Sequence, residues 1–305
     1  MRRLRQGVLC VLLVAGVWCA ASATEFEDML HELDLLHLQD RHDEVLSGVD
    51  RVRNDRGLSD SEMAELYMRR TRAIVSEVEL AYDADEMPGD EAQAQLQEAE
   101  EYAARAIELN RELADSYFWK GAAMGLRGVI RGVLRALFMA RDVRELGEAA
   151  LELKPDHTES HFLLAQLYDE VPGRPLSFGN SALAVSLARR AHDLHEAERR
   201  DWEVETRYDS VEIGVAERLW SRNWSERRRE RRHEGLREDY AATTDPLERA
   251  YVYEGSLELE PMSDRDEARR ILRNVLDRLE AVENPTRRQR NDLNAAREHA
   301  EDWGL

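Results

Sequence analysis

The sequence predicts an all-α protein, an α-solenoid of stacked antiparallel helix pairs. Strand signals are scarce: no run of alternating Val, Ile and Thr lies between Asn-Gly or Asp-Gly turns. Apolar residues recur at spacings of three and four, as in Met29, Leu33 and Leu36, or Ala99, Ala103 and Ala106. Gly and Pro are few and cluster between helical stretches. They set breaks near 39–41, 55–59, 84–90, 111–114, 154–157, 171–180, 241–246, 260–264 and 283–286. The segments between breaks run roughly 12 to 25 residues, as helical hairpins require.

The N-terminus reads as a signal peptide over 1–23. Arg2, Arg3 and Arg5 give a positive start, residues 7–19 are apolar, and Ala21-Ser22-Ala23 supplies a small-x-small cleavage pattern. Cleavage between Ala23 and Thr24 would leave a periplasmic or secreted chain, with no integral membrane part. The apolar run is short of the roughly 20 residues that a spanning anchor needs. Trp18, where a small residue belongs, argues against a lipidated Cys19. Residues 24–305 are then one domain.

Cys10 and Cys19 both fall in the signal, so the remainder has no disulfide, thiolate nucleophile or Cys-ligated metal. The whole chain carries 43 basic and 63 acidic residues, a net charge of −20. Without the three signal arginines the balance is −23, which opposes nucleic-acid binding through phosphate neutralisation. Lys120 and Lys154 are the only lysines. With the signal, this arginine bias points to a bacterial source with a GC-rich genome.

Along the remaining chain, Ser59-Asp60-Ser61-Glu62 reads as a capping box, and Ser181 follows a Gly-Asn pair. Ala99, Ala103 and Ala106 form a small-residue stripe. Tyr117, Gly121 and Met124 follow, with Tyr117 eighteen residues after Ala99. Ala150 precedes Lys154-Pro155; His161, Leu164, Ala165 and Tyr168 come next, then Ala184, Ala188 and Ala191. In this register the chain resembles the tetratricopeptide-repeat family over about 92–195. The resemblance is weaker over 25–83, where 41–44 looks like the start of a second helix, and over 245–281. It implies four or five helix pairs, C-terminal capping helices over about 245–302, and a concave binding face. One repeat cannot bury its apolar side alone, so several must stack.

Two stretches depart from the repeat. The chain between Met124 and Ala150 is too long for one repeat, and residues 171–180 replace a short turn. The extended turn is similar to turns of exported bacterial repeat proteins, including some that resemble the microtubule-dynamics-regulator group. In the first stretch, Arg127, Arg131 and Arg135 fall four apart on one helix face, opposite Val129, Ile130, Val133, Leu134, Leu137 and Phe138. Arginine forks suit a carboxylate or phosphate in a groove. A solvated face is the commoner reading of such a stripe. A membrane-surface helix is disfavoured by its glycines. In the second stretch, Arg174 would reach a ligand and Phe178 would cover the groove or plug the core.

The groove candidates are therefore Trp119, Lys120, Arg127, Arg131, Arg135, His161, Arg174 and Phe178. Trp220 to His233 interleaves aromatic and basic residues, but Glu226 and Glu230 interrupt it, so a solvated helix with Trp220 and Trp224 packed inward fits better. Asn223-Trp224-Ser225 matches a glycosylation sequon, relevant only to a eukaryotic secretory route. His31, His37, His42, His157 and His161 are scattered, while His192 and His195 lie three apart and fit a metal only weakly. No zinc, nucleophile-elbow or phosphate-loop motif is present. The expectation is a non-enzymatic scaffold of the bacterial cell envelope that binds another protein or peptide, with no metal and no cofactor. The alternative is a small-ligand accessory of an envelope transport system, marked by a closed pocket where the three stripe arginines converge.

Overall fold

The computed structural model describes residues 25–55, 57–198 and 208–305. The signal segment, with its Ala23–Thr24 junction, lies outside them. The described chain is helical throughout, with one isolated bridge between Gly173 and Gly179 and no strand among the described residues. Its helices are α1 (25–38), α2 (His42–Asp55), α3 (Asp60–Asp83), α4 (Gly89–Leu109), α5 (Ala114–Ile130), α6 (Val133–Leu153) and α7 (Thr158–Glu170). They continue with α8 (Ser181–Glu198), α9 (Asp209–Arg222), α10 (Glu226–Ala242), α11 (Pro246–Tyr251), a 3-10 turn (Tyr253–Ser256), α12 (Asp264–Glu280) and α13 (Arg287–Trp303).

Local signals set many of the ends. Ser59 and Glu62 form the capping box that starts α3. Thr286 and Gln289 form a second one at α13, which the sequence reading missed. Before α8 the cap is Asn180: its Oδ1 accepts from Ala182 N at 3.0 Å and Leu183 N at 3.4 Å.

Each pair buries one apolar seam. Phe26, Leu30 and Leu33 meet Val45, Val49 and Val52 in the first. Ile74, Val75 and Val78 meet Ala92, Leu96, Ala99 and Ala123 next. A larger core joins α7, α8, α9, α12 and α13 through Leu164, Leu187, Leu219, Leu272 and Ala296. Consecutive helices pack on each other, and the first members of pairs also touch across pairs: α3 on α5, α5 on α7, α7 on α9. No comparable contact joins α4, α6 and α8. Helices that approach more closely lie on the inner side of a curved stack, so α3, α5, α7 and α9 line the inner face.

The overlong stretch 124–150 resolves into one helical hairpin. Gly132, at φ 101°, turns the chain between α5 and α6. Arg127, Arg131 and Arg135 therefore do not share one helix face, contrary to the spacing argument. Between α9 and α12 the chain makes a side excursion through α10, α11 and the 3-10 turn. Almost all of α10 is exposed, and it rests on the 3-10 turn, where His233 Nε2 lies 3.0 Å from Glu254 O.

Gly121 sits where α5, α6 and α7 meet: a Cβ there would lie 3.3 Å from Leu163 and 3.4 Å from Leu146. Gly121→Leu should cost about 1–3 kcal/mol through overpacking. Gly57→Leu, where a Cβ would meet nothing within 4 Å, should leave the melting temperature unchanged. Equal melting curves for the two variants would contradict the assigned packing.

Candidate functional site

The residues singled out in the sequence do not converge. Arg127 makes a fork with Glu100 at 2.5 and 2.7 Å, so its charge is matched within the stack. Arg131 donates to Gln93 at 2.9 Å, and Arg135 stands exposed. The closed pocket expected of a small-ligand accessory does not form around these three. His161 is buried, with Nε2 3.0 Å from Pro155 O, rather than on a groove; burial first, then that contact and nearby cations, set its pKa at about 4. Phe178 plugs the turn: Tyr168 packs edge-on at 5.5 Å and the Arg144 guanidinium covers it at 4.5 Å. Arg174 is exposed beside it, and Lys120 is half-buried on α5.

Trp119 does face other functional groups. His37 from α1 meets its ring edge-on at 6.4 Å, and His42 from α2 lies 5.3 Å from His37. Phe118 also meets Trp119 edge-on, at 4.8 Å, and lies 5.4 Å from His157. His37 and His42 are buried, which favours their neutral forms. Burial, then Arg72, His42 and Arg288, push His37 well below the usual histidine range. For His42, burial outweighs the bond to Glu77 at 3.1 Å and lowers the pKa. His37 Nδ1, His42 Nε2 and Arg72 Nε are buried without a protein hydrogen-bond partner. The sequence showed these histidines as scattered; only the fold of α1 onto the stack unites them.

The far edge of this cluster comes from the other end of the chain. Arg287, on the first turn of α13, pairs with Glu77 at 2.8 Å and Glu86 at 2.5 Å. Arg288 N donates to Asp40 at 3.0 Å, and its guanidinium covers Tyr208 at 5.0 Å. Asn291 Nδ2 donates to Leu80 O at 3.4 Å. The other end of α13 is fixed by Trp303, stacked on Trp220 at 4.5 Å, and by Arg269 donating to Trp303 O. Thus α13 crosses the inner face from α9 to α3.

A chain of contacts resembles a nucleophile–base–acid set. Ser160 Oγ lies 3.0 Å from His157 Nδ1, and His157 Nε2 lies 3.5 Å from Asp115. Yet Ser160 is fully buried, and its own N–H also donates to His157 Nδ1 at 3.2 Å. His157 is the N-cap of α7, and no reacting atom can reach Ser160 in this conformation. Burial alone would raise the Asp115 carboxyl; the His157 bond and charge, with Lys154 and Arg72, outweigh it and hold it at about 2. The set is a pair that ties α7 to α5, with His157 enclosed and the Asp115 side chain 38% exposed. His192 lies 3.3 Å from Asp193, whereas His195 Nε2 accepts from Tyr208 N at 3.2 Å. Among the described residues no group of three or more His, Cys, Asp or Glu is placed to hold a metal ion.

The basic run 220–233 divides as well. Arg222 is fully buried and forks Asp264 at 2.8 and 2.9 Å and Glu254 at 2.5 and 3.0 Å. Arg229 meets Glu267 at 2.5 Å, and Arg189 bridges Glu254 and Glu267. Three guanidinium groups and three carboxylates thus alternate beneath α10. Burial alone would raise Glu254; Arg222, Arg189 and Arg229 outweigh it and hold it at about 2.

Arg222→Met leaves two buried carboxylates short of a partner and should cost about 3–5 kcal/mol, read by denaturant unfolding. Asp292, on α13, gives a pH test. Burial first, then Asp209 and Glu79, raise its carboxyl from 3.8 to about 7 against the pull of Arg288. A raised acid contributes stability below about 4 that is lost as pH rises through about 7. Asp292→Asn should therefore melt higher than the parent at pH 8, with the gap shrinking at pH 5. A constant gap would show that Asp292 is not titrating there.

Residues 29–171 match the model of the regulator of microtubule dynamics protein 1-3 family. Regulator of microtubule dynamics protein 1 of Bos taurus is 28% identical over 148 residues, or 48% of this chain and 44% of that protein. The chain therefore aligns with less than half of that relative's length. The matched stretch holds His37, His42, Arg72, Trp119 and His157; Tyr208 and α13 lie beyond it.

Proposed function

We propose that this chain is a non-enzymatic scaffold of tetratricopeptide type, exported to the bacterial envelope, that binds a segment of another protein on its inner face. The observation that carries this reading is the cluster around Trp119. Burying a polar atom without a partner costs about 1–3 kcal/mol, so nitrogens of His37, His42 and Arg72, enclosed where α1 and α2 close on Trp119, would gain hydrogen bonds from a segment that parts α1 from α5. They stand beside an indole, and aromatic anchors next to well-placed donors are the usual centre of a protein-binding surface. A helix or extended segment suits a groove lined by parallel first helices. The likeness over 29–171 supports the helical scaffold, since that stretch builds α1 to α7. The relative's name describes a regulator of microtubule dynamics; only the helical unit is carried over from it.

Export rests on the three-part pattern of residues 1–23. Two measurements test the reading. Protein recovered from the envelope should begin at Thr24; an intact Met1 would contradict cleavage. Immobilised protein should retain a specific component of an envelope extract, and Trp119→Ala should lose it at a temperature where far-UV circular dichroism shows both proteins folded. Equal retention by both proteins would remove the Trp119 cluster as the site.

A further inference from the structure

The bend between α5 and α6 gathers exposed apolar side chains. Val129 is 53% exposed, Val133 85%, Leu134 75% and Phe138 82%. These are four of the seven large apolar side chains exposed among the described residues, and they fall within ten positions. The base of the bend is firm. Leu126 and Ile130 pack into the second seam, and a Cβ on Gly128 would lie 3.1 Å from Ala136 Cα, so α5 and α6 touch backbone to backbone there. The tip is free: a Cβ on Gly132 would meet nothing within 4 Å. A rigid stem thus holds bulky apolar side chains in water, at a place where the fold gains nothing from them.

The charge beside them is as specific. Arg131 bonds only the neutral Gln93, and Arg135 has no ion pair among the described residues, so both cations are uncompensated in a strongly acidic protein. Arg127 and Arg141, further down the stem, are matched by Glu100 and Glu145. Asp142, Asp90 and Glu91 are the exposed acids nearest in the chain to the stem and to Gln93, so the electrostatic pull is modest and local. More distant acids are screened beyond about 8 Å at physiological ionic strength.

We propose that this bend is a membrane-surface anchor: Val133, Leu134 and Phe138 enter the interfacial layer of an anionic bilayer while Arg131 and Arg135 meet its lipid phosphates. A protruding apolar tip suits a bilayer, which yields around it, whereas a protein partner would need a preformed pocket for three bulky groups. The arginines extend their apolar stems along the inserted tip and keep their heads at phosphate level. No helix among the described residues is long and apolar enough to cross a membrane. The proposed contact is one with the bilayer surface, and it stands independently of the inner-face reading.

Vesicle pelleting alone would not test this, because an apolar segment such as 7–19 is of a type that partitions into lipid and would confound the result. The test places an environment-sensitive fluorophore on Leu134→Cys in the full chain, with Cys10 and Cys19 changed to Ser so that only one thiol remains. Vesicles of equal parts phosphatidylglycerol and phosphatidylcholine should shift its emission to the blue and raise it several-fold. Added salt should weaken the effect, and pure phosphatidylcholine should give less. The same label at Gly57→Cys should not respond. Adding Arg131→Glu and Arg135→Glu should abolish the preference for anionic vesicles, and Val133→Ser with Phe138→Ser the whole response. An unshifted probe at 134 with both vesicle types would overturn the proposal and leave a protein as the occupant. So would a shift that grows with protein concentration in the absence of lipid, which would mark a second copy of the chain.

Discussion

Methyl-sized side chains at the helix contacts set the terms for the rest of this structure. Ala92, Ala99, Ala103, Ala106, Ala123, Ala150, Ala165, Ala184, Ala188 and Ala191 are all fully buried. A methyl group lets two helices close to near backbone contact, and larger residues such as Leu96, Leu164, Leu187 and Leu272 then fill what remains. Alanine buries little apolar area by itself. Its effect is geometric: it fixes how near each pair sits to the next, hence which helices form the inner side. From that curvature follows the meeting of α13 with α3, more than two hundred residues apart in the chain.

Charge is the second organising element. The chain has 63 acidic residues, and where carboxylates sit between helices arginine rather than lysine answers them. Arg69 reaches Asp34 and Glu65, Arg189 reaches Glu254 and Glu267, and Arg222 reaches Glu254 and Asp264. A planar fork with five donors can serve two carboxylates at once, which an ammonium group does less well. The arginine bias visible in the composition is therefore also an architectural requirement. It separates arginines matched by carboxylates inside the stack from those without a carboxylate partner among the described residues, such as Arg131 and Arg135.

Periodicity made the helices, most of their turns and the alanine register legible, because those depend on residues three, four and eighteen apart. It failed wherever the decisive partner lies far along the chain. The Arg127–Arg131–Arg135 stripe is a spacing effect that one positive-φ glycine, Gly132, cancels. His37 and His42 looked scattered because nothing local indicates that α1 and α2 bring them against Trp119 on α5. The basic run around Arg222 and Arg229 is matched by Glu254, Asp264 and Glu267, 32 to 42 residues later. The crossing of α13 left only a weak sign, the Thr286–Gln289 capping box, which marks a helix start but not its destination. Of the proposed groove residues, Trp119 alone joins the cluster now at issue, while Phe178 and His161 are structural.

The inner face is thus a surface assembled from both ends of the chain, with α13 as its far wall. Its N-terminal turn is held to α3 by Arg287 between Glu77 and Glu86, and to the α1–α2 turn by Arg288 at Asp40. The most direct measurement is cross-linking with a short bismaleimide between cysteines placed at Glu86 and Arg287, with Cys10 and Cys19 replaced. The account expects efficient intramolecular linkage, giving a looped chain of altered mobility in a denaturing gel. Absence of that linkage, while a control pair of cysteines one turn apart on α13 reacts fully, would contradict it.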